Sequence, residues 1–395
     1  MAGTPARVND LLNQLWTPAR EMALAEAASL QEIVRKEGGR FAIEPWDWWY
    51  YAERVRKARY DLDDQALRPY FEIDKVRDGA FYVANKLYGI TFVPRPDLPV
   101  YHPEVKAFEV RDTDGSVLAI FFTDYFPRPG KRVGGWTSRF RDQRTQAGKR
   151  MVVPLVTNVC NFSRPVANAP ALLSTDEVET LFHEFGHALN SFFSIAPYRG
   201  LRGARDAGEL PSQIMENWAF EPDVLNAYAK HYKTGEVIPM TLVEKVKQSE
   251  HFNQGFATVE YLAASIIDMD WHTLTSTEEQ DAAAFEQATL ARIRMPHEII
   301  PRYHSPYFNH AFGPGGGYAA GYYNYIWSEV LDSDAFQAFK EKGLFDQATA
   351  KSFRTNILER TGMDAAMTQF RKFRGREPIV EPLLAKRGLH KKTGS

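Results

Sequence analysis

The stretch from Ser174 to Leu189 reads Ser-Thr-Asp-Glu-Val-Glu-Thr-Leu-Phe-His-Glu-Phe-Gly-His-Ala-Leu. Ser174 and Glu177 have the spacing of a capping box, which predicts a helix that begins after Ser174. Apolar residues recur through the stretch at helical spacing: Val178, Leu181, Phe182, Phe185 and Leu189. The pentapeptide His-Glu-Phe-Gly-His at 183–187 is therefore predicted to lie in the middle of an amphipathic helix.

This pentapeptide has the pattern of a zinc site. His183 and His187 are four residues apart, so in a helix both imidazoles lie on one face and can bind one ion. Glu184 then lies beside the first ligand, where a carboxylate can act as general base toward a water molecule on the metal. Neutral imidazole suits zinc. An incidental histidine pair on a buried helix is the alternative, and the capping box and apolar flanks argue against it.

The segment 208–218 supplies candidates for a third protein ligand. It contains Glu209 and Glu216, which are seven residues or about two helical turns apart, so both can face the same side. We expect Glu209 to be the third ligand and Glu216 to orient a ligand histidine by hydrogen bonding. Spacing alone leaves Glu216 and Asp206 as alternatives for the third ligand.

A glycine-rich segment lies near the carboxy end. His310 is followed by Pro314 and three glycines, which include Gly316 and Gly317. Glycines after a proline predict a pliable loop that can pass close to a ligand. We therefore expect Gly316 and Gly317 to contribute to substrate binding.

Tyrosines follow this loop at helical spacing. Tyr318, Tyr322 and Tyr325 are at positions i, i+4 and i+7, which predicts one face of a helix. Phenol groups can donate hydrogen bonds to a developing oxyanion. An aromatic core stripe is the alternative, but the adjoining glycine loop and His310 favour a functional role.

The composition is that of a globular protein. Apolar residues make up 44% and the formal net charge is −2, which argues against disorder and against polyanion binding. Lys and Arg are scattered, so no nucleic-acid partner is expected. The only cysteine, Cys160, lies in an apolar run and is predicted to be a core residue. With no signal core and no membrane-length apolar run, we expect a cytoplasmic location and no membrane partner.

The periodicity predicts three regions along the chain. These are a helical region at 1–104, a small β-sheet region at 105–160 and a helical region at 161–395 that carries the metal motif. Thr4 and Pro5 have the residue types of an N-cap and a first helical position, which predicts a long helix at the amino end.

The β-sheet region contains three predicted strands. Residues 106–110 and 117–122 alternate around a turn and predict a hairpin. Residues 151–156 predict a third strand, and Pro154 indicates that this strand lies at a sheet edge. An edge strand beside the metal would allow an extended peptide to pair with it. The segment 131–150 is predicted to be a mobile surface loop.

Two segments resemble a known family. The helix 181–189 and the segment 209–218, which reads Glu-Leu-Pro-Ser-Gln-Ile-Met-Glu-Asn-Trp, look like the thimet oligopeptidase family (M3) of zinc metallopeptidases. The resemblance is greatest to its bacterial peptidyl-dipeptidase (dipeptidyl carboxypeptidase) branch and covers essentially the whole chain. In that family the Glu of Glu-x-Pro-Ser-Gln is the third zinc ligand, which supports Glu209. The family usually has His where this chain has Asn190, which implies a different local hydrogen bond but the same ligands.

The resemblance also implies an architecture. Family members are mainly α, zincin-like proteins with two lobes, a deep channel and a small β-sheet beside the HExxH helix. The region 161–395 would then be the zinc-peptidase catalytic region of one continuous catalytic unit. By the resemblance, this chain opens inside the family pattern, after a long helical segment. It is then either a catalytic-region fragment or a naturally short product.

The function implied is hydrolysis of short, unstructured oligopeptides with one zinc ion per chain. His310 and the tyrosine series match family residues that stabilise the transition state and hold the substrate backbone. His310, Tyr318 and Tyr325 are thus expected to act with Glu184 in catalysis, and Tyr322 in substrate binding. Release of dipeptides from the free carboxy terminus is the favoured activity. An oligoendopeptidase and a non-catalytic peptide-binding relative are the alternatives, and the oligomeric state is open, with a monomer expected.

Overall fold

The computed structural model describes residues 1–60, 64–146, 149–166, 169–314 and 317–389. The chain is mainly α-helical, as predicted, with seven short strands in the described part. The helices are α1 (Pro5–Lys36), α2 (Trp48–Tyr60), α3 (Asp64–Leu67), α4 (Ile73–Tyr88), α5 (Thr175–Phe193), α6 (Leu210–Ala219), α7 (Pro222–Tyr228), α8 (Met240–Gln248), α9 (Gln254–His272), α10 (Ala282–Arg292), α11 (Asn309–Phe312), α12 (Asn324–Lys342), α13 (Gln347–Phe353), α14 (Ala366–Arg374) and α15 (Glu381–Lys386). The strands are β1 (Thr91–Pro94), β2 (Lys106–Arg111), β3 (Val117–Asp124), β4 (Trp136–Arg141), β5 (Arg144–Gln146), β6 (Lys149–Val152) and β7 (Leu155–Val159).

The chain divides into two compact units, and each is built from separated segments. Unit 1 takes its described residues from Met1–Leu62, Lys245–Trp327 and Val380–Ser395. Unit 2 takes them from Asp63–Glu244 and Ser328–Ile379. The three regions expected from the sequence, and the channel, stay predictions. Within the described residues, no helix combines the length and the apolar composition needed to cross a membrane.

Unit 1 is organised by the contact between α1 and α9. Helix α1 begins after Thr4, as predicted, and the Thr4 hydroxyl accepts a hydrogen bond from the third residue beyond it. Gly255 permits close approach, because a Cβ there would lie 2.4 Å from the backbone nitrogen of Ala23. The Glu26 carboxylate accepts hydrogen bonds from the amides of Gly255 (3.0 Å) and Phe256 (2.8 Å). A carboxylate from α1 thereby caps the start of α9.

The five-stranded sheet of unit 2 has the order β1-β2-β3-β7-β4. The predicted hairpin is confirmed as the antiparallel pair β2 and β3. The strand predicted at 151–156 is divided between β6, which ends at Val152 and pairs only with β5, and β7, which begins at Leu155. The edge assignment is wrong for the β7 part, because β7 lies parallel to β3 and antiparallel to β4. Strand β7 begins just after Pro154, so the proline does not interrupt its ladder. The interpretation of 131–150 as a loop is also wrong for its described residues, since β4 and β5 lie within it and β4 forms the sheet edge.

The sheet supports α5, the helix with the histidine pair. The predicted capping box is present, because Ser174 Oγ accepts from Glu177 N (3.2 Å) and Glu177 Oε2 accepts from Ser174 N (2.8 Å). The buried face of α5 packs on the sheet through aromatic rings. Phe121 of β3 lies 6.1 Å from the Phe185 ring and 5.2 Å from the Phe192 ring. The opposite face of the helix is thereby free to carry His183 and His187.

Candidate active site

The two histidines of α5 converge as predicted. Their ring centroids lie 5.0 Å apart, and the rings are nearly perpendicular at 82°. Both side chains are about one-quarter exposed, with 24% for His183 and 26% for His187. Both imidazoles are thus partly exposed to solvent.

Glu209 completes the group from the next helix. Its Oε2 atom lies 3.0 Å from His187 Nε2 and 3.4 Å from His183 Nε2. Glu209 is the residue before α6, and the Ser212 hydroxyl lies 3.1 Å from the same Oε2. Asp206 is buried in a preceding 3₁₀ turn, Arg205–Ala207, and does not belong to the group of potential metal ligands found among the described residues.

Gly186, inside the pentapeptide, allows α6 to lie against α5. A Cβ at this position would be 2.1 Å from Pro211 O and 2.7 Å from Ser212 Cα. Contacts this short with backbone atoms cannot be relieved by side-chain rotation. The glycine is therefore required by the close helix crossing that brings Glu209 to the histidines.

Glu216 fixes the orientation of His183. Its Oε1 atom lies 2.6 Å from His183 Nδ1, which directs Nε2 of that ring toward Glu209. Burial alone would lower the pKa of His183, but hydrogen bonds to Glu209 and Glu216 outweigh burial and raise it well above its usual value. Burial likewise would raise the pKa of Glu209, but its hydrogen bonds with the two histidines lower it strongly. This concentration of negative charge favours a cation at the imidazoles.

The donor set fits zinc. One atom each from His183, His187 and Glu209 can be chosen so that all lie within 4.8 Å of one another. Ligands about 2.0–2.1 Å from a tetrahedral zinc ion are separated by about 3.3 Å, and the two histidine–carboxylate distances are 3.4 and 3.0 Å. Two imidazoles and one carboxylate leave a fourth position open, as in catalytic zinc sites. Glu216 matches the carboxylate that commonly orients a ligand histidine.

Glu184 is held by two sheet residues that the sequence did not indicate. Thr137 Oγ1 of β4 lies 2.7 Å from Glu184 Oε2, and Asn158 Nδ2 of β7 lies 2.7 Å from both Glu184 O and Thr137 Oγ1. Because the amide supplies two hydrogens to these acceptors, the single Thr137 hydroxyl hydrogen is available for the carboxylate. Thr137 lies in the segment that was predicted to be a loop, so no sequence signal pointed to this contact.

The tyrosine series is not the helix face predicted from its spacing. Helix α12 begins at Asn324, so Tyr325 is helical while Tyr318 and Tyr322 lie in the preceding turns. The three rings nevertheless cluster. Tyr318 stacks on Tyr325 with centroids 5.7 Å apart and an 11° interplanar angle, and their hydroxyl oxygens are 3.3 Å apart. Tyr322 is buried, and burial raises the pKa of its phenol.

His310 lies in the same cluster, within unit 1. Its ring centroid is 5.6 Å from that of Tyr318 and 5.4 Å from that of Tyr322. Burial, with a smaller effect of the nearby Arg302 charge, lowers the pKa of His310, so the neutral ring is favoured. In the described part of the chain its Nδ1 is buried without a hydrogen-bond partner. A neutral imidazole of this kind can donate from Nε2.

The glycine loop is described only in part. Gly316 lies outside the described residues. Gly317 is described, and a Cβ there would meet nothing within 4 Å, so its surroundings leave open space. A substrate contact of Gly316 or Gly317 stays a prediction.

Asn190 and Cys160 have local roles. Asn190 Nδ2 donates to Leu358 O (3.0 Å) and to Thr361 Oγ1 (2.8 Å), which is the local hydrogen bonding expected to differ at this position. Cys160 is fully buried, as predicted for a core residue, and burial raises the pKa of its thiol.

The fold and the donor set together define a class of protein. Metal-dependent hydrolases use this set of residue types: a helix-borne histidine pair, a further carboxylate ligand and a glutamate beside the first histidine.

The sequence comparisons narrow this class to one family. The profile of peptidase family M3 matches residues 1–389. The chain belongs to this family.

Three relatives that match nearly the whole chain carry two different names. "Dipeptidyl carboxypeptidase" of Salmonella typhimurium is 43% identical over 98% of this chain, and the protein of the same name from Escherichia coli is 42% identical over 99%. "Oligopeptidase A" of Escherichia coli is 38% identical over 98% of this chain. The matches cover 57%, 57% and 58% of the respective relatives. This chain therefore spans somewhat more than half the length of these relatives.

Proposed function

We propose that this chain is a zinc metallopeptidase that hydrolyses short, unstructured peptides. The observation that carries the proposal is the convergence of His183, His187 and Glu209, with Glu184 held beside them by Thr137. Family membership and the names of the relatives support the same reaction class. One zinc ion per chain would be held by the two imidazoles and the Glu209 carboxylate.

The mechanism assigns a separate task to each side chain. A bound zinc ion supplies Lewis-acid polarisation of the peptide carbonyl and lowers the pKa of a water molecule. Glu184 accepts the proton of the attacking water and delivers it to the leaving amine nitrogen. Thr137 donates to Glu184 Oε2, which orients the carboxylate. Glu216 keeps His183 in the orientation that presents Nε2.

Strand β4 is the proposed docking edge for the substrate backbone. It pairs with β7 on one side and is the last strand of the five-stranded sheet. Thr137, which contacts Glu184, is its second residue. A peptide added to this edge as an extended strand would pass close to the general base.

His310, Tyr318 and Tyr325 are proposed to stabilise the transition state of peptide hydrolysis. The support is the family resemblance together with the clustering of His310, Tyr318 and Tyr325 in unit 1. A neutral imidazole and phenol hydroxyls are hydrogen-bond donors suited to a developing oxyanion. Tyr322, with Gly316 and Gly317, is proposed to contact the substrate backbone.

The proposed cleavage mode is release of dipeptides from a free carboxy terminus. The names of the first two relatives support this mode. The third relative is named an oligopeptidase. An oligoendopeptidase with the same residues is kept as the alternative. A monomer and a cytoplasmic location are proposed on the sequence grounds given above.

The test uses the conservative substitution Glu184→Gln with Glu179→Gln as its control, because Glu179 is an exposed carboxylate on the same helix. Zinc content and cleavage of one oligopeptide, in free-acid and amidated forms, are measured for all three proteins. We expect Glu184→Gln to keep zinc and to lose turnover by about 10²–10⁴-fold, and Glu179→Gln to behave like the wild type. Near-normal turnover of Glu184→Gln would exclude the mechanism.

The same peptides separate the three functions. Loss of dipeptides from the free acid only, resolved by mass spectrometry, supports the peptidyl-dipeptidase. Internal cleavage of both forms supports the endopeptidase. No cleavage by zinc-replete wild type supports the non-catalytic relative.

A further inference from the structure

Asp268, near the end of α9, is a fully buried carboxylate that the mechanism above does not use. Its Oδ1 atom accepts a hydrogen bond from the Ala320 amide (3.0 Å), and its Oδ2 atom accepts one from the Tyr322 amide (2.9 Å). His272, one turn later on the same helix, places Nδ1 2.8 Å from Oδ1. The carboxylate is thus attached to the backbone of the turn that precedes α12.

The turn needs this attachment because of its backbone conformation. Ala320 has φ +52°, in the left-handed region that alanine rarely adopts. Its side chain has no polar group that could form a compensating local hydrogen bond. Asp268 accepts its two hydrogen bonds from the amide of Ala320 itself and from the amide two residues later, so these bonds hold the strained conformation directly.

A second residue of α9 binds a backbone carbonyl of the same turn. Tyr261 lies two helical turns before Asp268, and its hydroxyl donates to Tyr322 O. Within the turn, Gly321 N donates to Tyr318 O (2.8 Å), and Tyr318 N donates to His310 O (3.0 Å). A displacement at Asp268 would therefore reach Tyr318 and His310, two of the three proposed oxyanion donors, through contiguous backbone hydrogen bonds.

We propose that Asp268 is a positioning residue for peptide hydrolysis, which holds the turn 318–322 so that the Tyr318 hydroxyl stays beside that of Tyr325. This inference rests on the proposed function, because it assigns the turn a catalytic geometry. The competing interpretation is a buried carboxylate that only stabilises unit 1. The positioning role predicts that folded, zinc-bound Asp268→Asn has a lower kcat than the wild type. The purely stabilising role predicts an unchanged kcat for the folded variant.

The first experiment compares Asp268→Asn with Asp270→Asn in the full chain. Asp270 is on the same helix and has a different set of contacts, with Thr289 Oγ1 (2.7 Å) and Arg292. Zinc content, unfolding temperature, kcat and KM are measured with one oligopeptide. We expect Asp268→Asn to bind zinc normally and to lose about ten- to hundredfold in kcat with a small change in KM. Asp270→Asn should keep the wild-type kcat.

A double-mutant cycle with Tyr318→Phe tests whether Asp268 affects kcat through the Tyr318 hydroxyl. If Asp268 acts through the Tyr318 hydroxyl, Asp268→Asn should cost much less kcat in the Tyr318→Phe protein than in the wild type. Equal fold-losses in both backgrounds would overturn the proposal. So would a wild-type kcat in Asp268→Asn.

A second pair of variants avoids the buried site in case Asp268→Asn does not fold. Ala320 is exposed, so its replacement leaves the core intact. A β-branched residue tolerates a positive φ poorly and glycine tolerates it freely. Ala320→Val should therefore lose kcat in the way expected for Asp268→Asn, and Ala320→Gly should retain more of it. Equal kcat in these two variants would overturn the proposal.

Failure of this inference is distinguishable from failure of the proposed function. An active wild type with no kcat effect of Asp268→Asn or Ala320→Val refutes the positioning role alone. A zinc-replete wild type without any turnover refutes both.

Discussion

Replacing Gly186 by alanine should weaken zinc binding although it adds only one methyl group. A Cβ at this position would lie 2.1 Å from Pro211 O, whereas ordinary contacts begin near 3.4 Å. The obstructing atoms belong to the backbone of α6, so the two helices must separate by about 1 Å. That separation exceeds the roughly 0.2 Å tolerance of metal–ligand distances. Glu209 and Glu216, at the start and inside α6, would both be displaced.

The clash with α6 reverses the effect that Gly→Ala usually has on the free energy of unfolding. In an unobstructed helix, Gly→Ala stabilises by about 1 kcal/mol. Overpacking of this severity instead destabilises by about 1–3 kcal/mol. For zinc, the loss of His183 orientation alone corresponds to about a 10–100-fold weaker affinity. We therefore expect Gly186→Ala to be less stable than the wild type and to bind zinc at least about tenfold more weakly.

The assay is zinc competition against a chromogenic chelator, together with thermal unfolding of the zinc-free protein. Gly79→Ala is the matched control. A Cβ at Gly79, on α4, would lie 2.6 Å from the Tyr228 ring, so this variant also crowds a helix contact in unit 2. Gly79→Ala should lose stability and keep its zinc affinity. Wild-type zinc affinity in Gly186→Ala, or equal weakening in both variants, would refute the reasoning.

Two further predictions concern unit 1. Tyr325→Phe should lower kcat by about tenfold or more while KM changes less. An unchanged kcat in steady-state kinetics would show that Tyr325 serves only in packing. Burial raises the pKa of the Glu26 carboxyl from 4.5 to about 7, although two backbone hydrogen bonds act in the opposite direction. The stability that the protonated carboxyl contributes is therefore complete below about pH 4.5 and is lost as the pH rises through about 7. The free energy of unfolding of the wild type relative to Glu26→Gln should thus decrease from pH 5 to pH 8 by up to about 3 kcal/mol, and a pH-independent difference in urea denaturation would contradict this assignment.

Local patterns were sufficient for the helix that carries the metal motif. The capping box at Ser174 and the apolar spacing through α5 predicted its start and its face, because both signals arise from hydrogen bonds and side chains within a few residues. The β2–β3 hairpin was predictable for the same reason. Glu209 was reached by resemblance, since spacing alone left Asp206 and Glu216 as alternatives.

Sheet order could not be predicted from the same kind of signal. Pro154 indicated an edge strand, yet β7 is interior because β4 pairs on its far side. Strand β4 itself lies in an arginine- and glycine-rich stretch that resembles a loop, and it becomes a strand only by pairing with β7. Thr137 and its contact with Glu184 depend on that pairing.

The tyrosine cluster shows the same division between local and tertiary information. Spacing at 318, 322 and 325 predicted one helix face, but the chain forms turns until Asn324. Asp268, which is more than 50 positions away in sequence, holds these turns through backbone hydrogen bonds. Short segments of sequence were enough to identify the residues that can bind zinc and accept a proton. The contacts that orient these residues join segments that are distant in sequence. Such contacts depend on the packing of whole helices and strands, which no short segment of sequence encodes.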